Sequence, residues 1–466
     1  MITYQDLLLC GDNEKKRMDF LIAAINDHKN SADYKFAETA NKYYGGENPD
    51  IFNYEKFLYD LEGRKHTDMF SANHKIGSSF FTFALDQEVS YLLGNGIRFS
   101  KNNTLEKLGK NFEKNVMTMY TEAGIAGVCY GFWNNDHLEV FPTIQSDLYP
   151  GFAPLYDEIG GTLKAGIRFW QIDDGKPLRI TLYEPDGFTE YIRSPEEETK
   201  LYAQKKAYKT TAKKARVDPE ATIIEENYSV LPIFPLYYGT RRRSKLYGKK
   251  NSVAALDLLL SGMLNNVDEG CYIYWALENC GGMSDIDIKQ FVERVRTLHI
   301  AQLGGTDGGA KATPHKLEPP YIATKEAIER IKKQLYEDFQ AFDPAAITAG
   351  NQTATAILAS YAPLDMLCDK TEYNITAFIE NILAIAGIDD KPTYQRNRII
   401  NKQEEIQSLL IGANYLDGEY ITKKILAIQG DADMIDEVLR KMQENEASRY
   451  KLEKDLTDNS EEDNEE

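Results

Sequence analysis

Apolar residues recur at helical spacing through one long stretch of the chain. Val253, Leu256, Leu259, Leu260, Met263, Leu264 and Val267 fall at steps of three and four, with Asp257, Asn265, Asp268 and Glu269 between them. That period predicts an amphipathic helix from Ser252 to Asn279, roughly 40 Å long at 1.5 Å per residue. Its last part, Cys271 to Leu277, fits either more helix or a strand. A second stripe follows Thr324, read as an N-cap: Ile328, Ile331, Leu335, Phe339 and Phe342. It ends at Asp343-Pro344, because proline cannot continue a helix without losing a hydrogen bond and clashing. Between the two stripes the pattern changes. Ser284 to Asp287 open a short helix to Arg296, Leu298–Leu303 reads as a strand, Gly304–Gly309 as a hairpin turn and Ala310–Leu317 as a returning strand. Two long helices that leave a body and return to it predict a stalk with a small unit at its far end.

The remaining pattern supplies the body. Residues 1–40 have helical spacing, and Tyr43–Ile51 is a glycine- and proline-marked loop. Asn73-His74-Lys75 leads into a helix whose face is Ile76, Phe80, Phe83, Ala84, Val89 and Leu92, stopped at Gly94-Asn95-Gly96. After a short helix, Met117–Gly127, come Val128–Trp133 and Leu138–Pro142 around an Asn-Asn-Asp turn. Further short β-branched and aromatic runs extend to Ile192. They predict an antiparallel meander. A third long helix, Ala354–Gly387, is predicted to kink or break at Pro363. A short strand (Tyr394–Ile400) and helices 401–411, 420–428 and 431–454 complete an α+β chain.

Composition narrows the function. At 466 residues, two to four structural units are expected. No apolar run is long enough for a membrane span, and the first residues lack the features of a signal peptide. Five scattered cysteines with no CxxC pair support neither zinc nor a disulfide framework and fit a reducing, cytoplasmic setting. A net charge of −19 argues against a protein that wraps nucleic acid with a basic face. It is compatible with one that surrounds a duplex and repels it, and equally with a surface that is acidic for solubility. Lys200–Arg216 and Thr240–Lys245 are the basic stretches, readable as phosphate contacts or as solvated loops. No two of the six histidines have ligand spacing on one element, and GxSxG, HExxH and GxxxxGKS/T are absent. Pairs such as Asp173-Asp174 arise by chance among 73 acidic residues. The expectation is no catalytic site, no metal and no cofactor.

Several local patterns, taken in order, resemble phage portal proteins of the branch typical of long-tailed siphophages of Gram-positive hosts. They are Tyr43-Tyr44-Gly45-Gly46, Tyr91-Leu92-Leu93-Gly94-Asn95-Gly96-Ile97, Thr121 to Tyr130, Leu231-Pro232-Ile233-Phe234, and Arg396-Asn397 with Asn401 and Glu404. Gly96 stands where that family usually has proline, and Gly350–Thr355 replaces its serine-glycine-rich segment.

The resemblance implies a portal-type fold. It would have a mixed wing (1–250), a stem helix (251–279), a small α/β clip (280–323) and a second stem helix (324–342). A tunnel loop (343–353), a kinked tunnel helix with a strand returning to the wing (354–400), a helical crown (401–457) and a disordered acidic tail (458–466) would follow. It implies a ring, typically of twelve, at one capsid vertex of the virion. The ring would pass double-stranded DNA and dock the terminase large subunit, then the head–tail adaptor, with the major capsid and scaffolding proteins around it. Thr348, Asn351, Gln352 and Thr353 would face DNA. Lys325, Arg330, Lys332 and Lys333 would line the channel or pair with acids of the next subunit. Asp285, Asp287, Arg294, Arg296 and His299 would lie on the docking clip. The competing readings are a virion adaptor oligomer without a DNA role, and an enzyme whose site no motif reveals.

Overall fold

The computed structural model describes residues 2–11, 13–60, 62–69, 71–101, 103–195, 199–214, 221–270, 273–278, 284–298, 311–316, 320–345, 354–397, 402–430, 434–445 and 448. Two compact units emerge. One holds Met1–Phe342 and Pro363–Arg396, the other Asp343–Ala362 and Asn397–Glu466.

In the first unit, α1 (Tyr4–Leu9), α2 (Glu14–Asn30), α3 (Ala32–Tyr44) and α4 (Pro49–Phe52) precede a small hairpin, β1 (Phe57–Tyr59) with β2 (Lys65–Thr67). Asn13 and Ser31 cap α2 and α3 through their side chains, each accepting a backbone N–H three residues on. Then come α5 (Phe80–Leu93), β3 (Ile97–Phe99), α6 (Thr104–Lys107) and α7 (Phe112–Ala126). Gly96, at φ 76°, makes the turn into β3.

The meander forms as the alternation predicts. β6 (Gly151–Tyr156), β7 (Leu163–Trp170), β8 (Leu178–Glu184), β9 (Gly187–Arg193) and β10 (Lys200–Lys206) pair in sequence order. A second sheet joins the hairpin β4 (Val128–Asn134) and β5 (His137–Pro142) to β13 (Ile233–Tyr237), which adds to the free edge of β4 from a hundred residues away. β11 (Lys209–Lys214) and β12 (Ala221–Glu226) form a separate hairpin. Leu7, Leu21 and Ile25 of α1 and α2 share one core with Phe169, Ile180 and Leu182 of the meander. Glu122 on α7 is pushed up to about 7 by burial. A carboxyl raised in the fold adds stability at low pH that is lost as pH rises through about 7. Glu122→Gln is therefore expected to match the wild type at pH 4 and to exceed it by about 3 kcal/mol at pH 8, read from urea unfolding at both pH values.

The stalk helices are α8 (Lys250–Gly270) and α10 (Tyr321–Phe339); between them lie β14 (Ile273–Glu278), α9 (Asp285–Leu298) and β15 (Lys311–Lys316). Three expectations change. The first helix stops at Gly270, and Ile273–Glu278 pairs antiparallel with Lys311–Lys316. Glycine weakens the helix end, and the Ile-Tyr-Trp run that follows favours an extended chain. The second helix starts at Tyr321, so Thr324 lies inside it and donates its hydroxyl to the Pro320 carbonyl at 3.0 Å. It ends at Phe339, where Gln340 turns left-handed at φ 51°. The expected strand 298–303 and its turn lie outside the described residues, except that Leu298 ends α9.

The third long helix is broken. α11 (Ala354–Ser360) and α12 (Ala362–Ala386) flank Tyr361, and Pro363 sits in the first turn of α12, where its missing N–H costs no bond. Gly131 of β4 lies so close to α12 that a Cβ there would fall 2.6 Å from the Phe378 ring. β16 (Pro392–Tyr394) returns to pair with β3. In the second unit α13 (Lys402–Ile411) packs on α14 (Gly418–Gln429), and Gln443, in the described helical stretch 434–445, donates to Glu419 at 3.1 Å.

Candidate docking and conduit surfaces

On α8 the predicted stripe holds only in its first half, where Val253 and Leu256 are buried; further along a polar row takes the inner face. Asp257, Ser261 and Asn265 are buried, while Leu258, Met263, Leu264 and Val267 are 37–45% exposed. The buried polar row has a partner. The segment before α5, expected to start a helix at Asn73, instead runs extended along α8. The Ser78 amide donates to Asp257 at 2.8 Å, the Ile76 amide to Ser261 at 2.9 Å and the His74 amide to Asn265 at 2.6 Å. Four residues of helix advance about 6 Å and two of extended chain about 6.6 Å, so acceptors at i, i+4 and i+8 meet alternate amides in register. Asn48 closes the foot of the ladder, donating to Asp257 at 2.6 Å, and Asp268 closes its head with the His74 ring at 3.0 Å. Burial raises the Asp257 carboxyl above its ordinary value, an effect its donors partly offset. Ser261→Ala is expected to cost about 1–3 kcal/mol, since it strands the Ile76 amide. Faster hydrogen exchange at that amide checks it.

A buried ionic node fixes the chain just before α8. Glu88 of α5 accepts from Tyr120 of α7 at 2.5 Å, from Tyr238 at 2.7 Å and from Lys245 at 2.7 Å, and Lys245 also reaches the Ala84 carbonyl at 2.7 Å. The Glu88 and Lys245 side chains are 0% and 1% exposed. Two helices, the chain just after β13 and the entry to the stalk thus share one carboxylate. Sequence reading counted Lys245 only as part of a basic cluster.

The residues singled out for DNA fall in different places. Thr348, Asn351, Gln352 and Thr353 lie outside the described residues. Lys325, Arg330, Lys332 and Lys333 are exposed on α10. They share that helix with four carboxylates, Glu326, Glu329, Glu337 and Asp338, and Lys325 pairs with Glu329 at 3.8 Å. The helix therefore has no net charge. On α9, Asp287 accepts from the Ser284 backbone amide and hydroxyl at 2.8 Å each, which lowers its carboxyl below the ordinary value. Arg294 is exposed, Asp285 and Arg296 are helical positions without described side chains, and His299 is outside the described residues. Phe291 is buried beneath α9 while Ile286, Ile288 and Val292 are exposed.

The basic stretch Lys200–Arg216 is largely neutralised where it is described. Lys205 pairs with Glu184 at 3.1 Å and with Asp186, Lys206 pairs with Glu190 at 3.4 Å, and Lys209 stands 4.0 Å over the Tyr228 ring. That is a charged sheet edge rather than a phosphate grip. Among the described residues no group of three His, Cys, Asp or Glu side chains is placed to hold a metal, and no helix is long and apolar enough to cross a membrane.

The comparisons agree along most of the chain. Residues 24–451 match the family described as phage portal protein, SPP1 Gp6-like. The portal protein of Clostridium phage phiCD119 is 23% identical over 371 residues, covering 74% of this chain and 80% of that protein. The portal protein of Bacillus phage SPP1 is 23% identical over 395 residues, covering 80% and 76%. Among solved structures, the neck of an empty GTA particle computed with C6 symmetry has a TM-score of 0.46 and 10% identity, over 84% of this chain and 93% of that one. The chain belongs to the SPP1 Gp6-like family of phage portal proteins.

Proposed function

We propose that the protein assembles into a closed ring of about twelve subunits at one capsid vertex. It passes double-stranded DNA inward during packaging and outward at ejection. The observation that carries the ring is α8, which keeps Asp257, Ser261 and Asn265 inside while Leu258, Met263 and Leu264 are exposed. A single subunit leaves those apolar side chains exposed; lateral neighbours cover them, and a closed ring leaves no free copy.

On this reading α8 and α10 are the stem, and β14, α9 and β15 belong to the clip that receives the terminase large subunit and later the head–tail adaptor. Residues 343–353 are the tunnel loop, α11 and α12 the broken tunnel helix, and 402–457 the crown. The wing faces the major capsid and scaffolding proteins, in a particle assembled in the host cytoplasm. Neutral polar side chains at Thr348, Asn351, Gln352 and Thr353 touch phosphates without locking onto them. About twelve copies at −19 carry on the order of −200 charges, which keeps a duplex centred and mobile. The charge balance of α10 fits pairing between adjacent stems better than a phosphate ladder.

Light scattering and negative-stain imaging test the ring; a monomer or dimer at micromolar concentration overturns it. Deleting 346–352 is expected to leave assembly intact and to impair packaging or retention of DNA. Unchanged packaging would favour an adaptor oligomer with no DNA role.

A further inference from the structure

Two cavities flank one guanidinium in the first unit. The first, about 510 Å³, lies between the apolar Val128, Ala153, Pro154 and Leu155 of β4 and β6 and a polar wall from α2 and α3 that carries Asp27, His28 and Asp33. The second, about 800 Å³, lies between β13 and the end of α12, with Leu163, Val230, Ile233, Phe234 and Ile385 in its wall. Tyr237 and Arg242 line both. The Arg242 guanidinium lies 3.9 Å from the Tyr237 ring centre, and among the described residues it pairs with no carboxylate. Its place beside the apolar wall of the second cavity sets it apart from a solvated surface cation. Arg241 and Arg243 beside it are exposed as well, Arg243 stacked on Tyr247 at 4.3 Å.

The arginine is held in place. Arg242 has φ 53°, and its carbonyl rests on the left-handed cap of α7, where a Cβ at Gly127 would come within 2.6 Å of it. Tyr238 N–H donates to Gly127 at 2.9 Å and Lys245 N–H to Gly124 at 2.8 Å, clamping the loop on both sides. A chain of hydroxyls, Tyr130 to Tyr156 at 2.9 Å and Tyr156 to Tyr237 at 3.3 Å, supports the ring on which Arg242 lies.

We propose that the second cavity and the arginine at its rim bind an extended acidic segment of a partner protein, with a carboxylate on Arg242 and apolar side chains against Val230, Ile233 and Phe234; Asp27 and Asp33 turn the segment away from the first cavity. Charge complementarity selects the ligand: a fixed planar guanidinium takes a carboxylate in two parallel hydrogen bonds. A phosphodiester backbone would satisfy the arginine and leave the apolar wall of the second cavity in water. Strand addition is blocked too. Pro232 and Tyr238 bond to β4, so residues 233, 235 and 237 turn their backbone groups outward, and the middle one is Pro235, which has no N–H. Recognition therefore falls to side chains.

The test uses the full-length protein and a fluorescein-labelled decapeptide alternating aspartate with leucine or phenylalanine, read by anisotropy. Saturable binding is expected. Arg242→Asn, chosen because asparagine tolerates a left-handed backbone, should weaken it about tenfold or more. Val230→Asp, an exposed change in the second cavity, should weaken it independently. No saturable binding overturns the proposal. So does equal binding of a version with lysine for aspartate or glycine for the apolar residues, or tighter Arg242-dependent binding of a 20-base-pair duplex. Oligomeric state is measured on the same samples. If Arg242→Asn disperses the assembly while no peptide binds, the cleft is a subunit contact and the proposal fails. Absence of a ring in the wild type would count against the portal reading alone.

Discussion

Lys245→Met is expected to destabilise the subunit by about 3–5 kcal/mol, because it leaves Glu88 charged and buried with two tyrosine donors but no cation. The methionine fills most of the volume, so lost packing contributes little. Adding Glu88→Gln should recover much of the loss, since the amide oxygen still accepts from one tyrosine, the amide N–H donates to the hydroxyl oxygen of the other, and no unpaired charge remains. The exposed pair Lys441–Glu437 on the 434–445 helix is the internal reference. Lys441→Met should leave the unfolding midpoint where it is, because the pair is solvated. Guanidinium unfolding followed by near-ultraviolet circular dichroism, which reports the tyrosines of the node, measures the first two. If Lys245→Met unfolded at the wild-type midpoint, the node would not be holding α5, α7 and the entry to α8 together.

Replacing Leu264 and Val267 together by glutamate should abolish ring formation while leaving the subunit folded. Both side chains are already about 40% exposed in the single chain, so the subunit loses little. In the ring each would be covered by a neighbour. Burying such side chains contributes about 1.5–3 kcal/mol apiece, and like charges would be added at every contact. A few kcal/mol per interface is a hundredfold or more in the association constant. Light scattering should then report monomers with unchanged far-ultraviolet dichroism. A persistent ring would place the subunit contacts elsewhere and remove the main support for α8 as its wall.

The local elements were legible because each is written at its own period. The meander follows alternation, and α10 buries Ile328, Leu335, Phe339 and Phe342 just beyond it, all on the predicted stripe. What was hidden is non-local. Nothing within Ile233–Tyr237 says that it pairs with Val128–Phe132. On α8 the apolar stripe is buried only at Val253 and Leu256, and further along the polar Ser261 and Asn265 are buried in its place. The available signal was Asp257, Ser261 and Asn265 at i, i+4 and i+8, a row of side-chain acceptors that needs a row of donors. The break at Gly270 was undecidable from Cys271 onward, because aromatic residues serve a helix end or a strand, and only the pairing with Lys311–Lys316 chooses. The surface chemistry of α10 and α9 was read as single residues, whereas the structure shows cations interleaved with carboxylates. Arg242 was visible only as one of three arginines. Its setting depends on Gly127, which caps α7, and on Pro235 and Tyr237 of β13, more than a hundred residues apart in sequence.

The three rungs between α8 and the His74–Ser78 segment also determine how the stalk takes a load. A pull along the α8 axis stretches all three hydrogen bonds at once, in shear, whereas a sideways peel would open them singly. The helix cannot creep by one residue, because its acceptors would then face the gaps between amides; the next position in register is a whole turn away. Axial force at the far end of the stalk therefore reaches the body almost undiminished, as through a keyed shaft, until every rung gives way together.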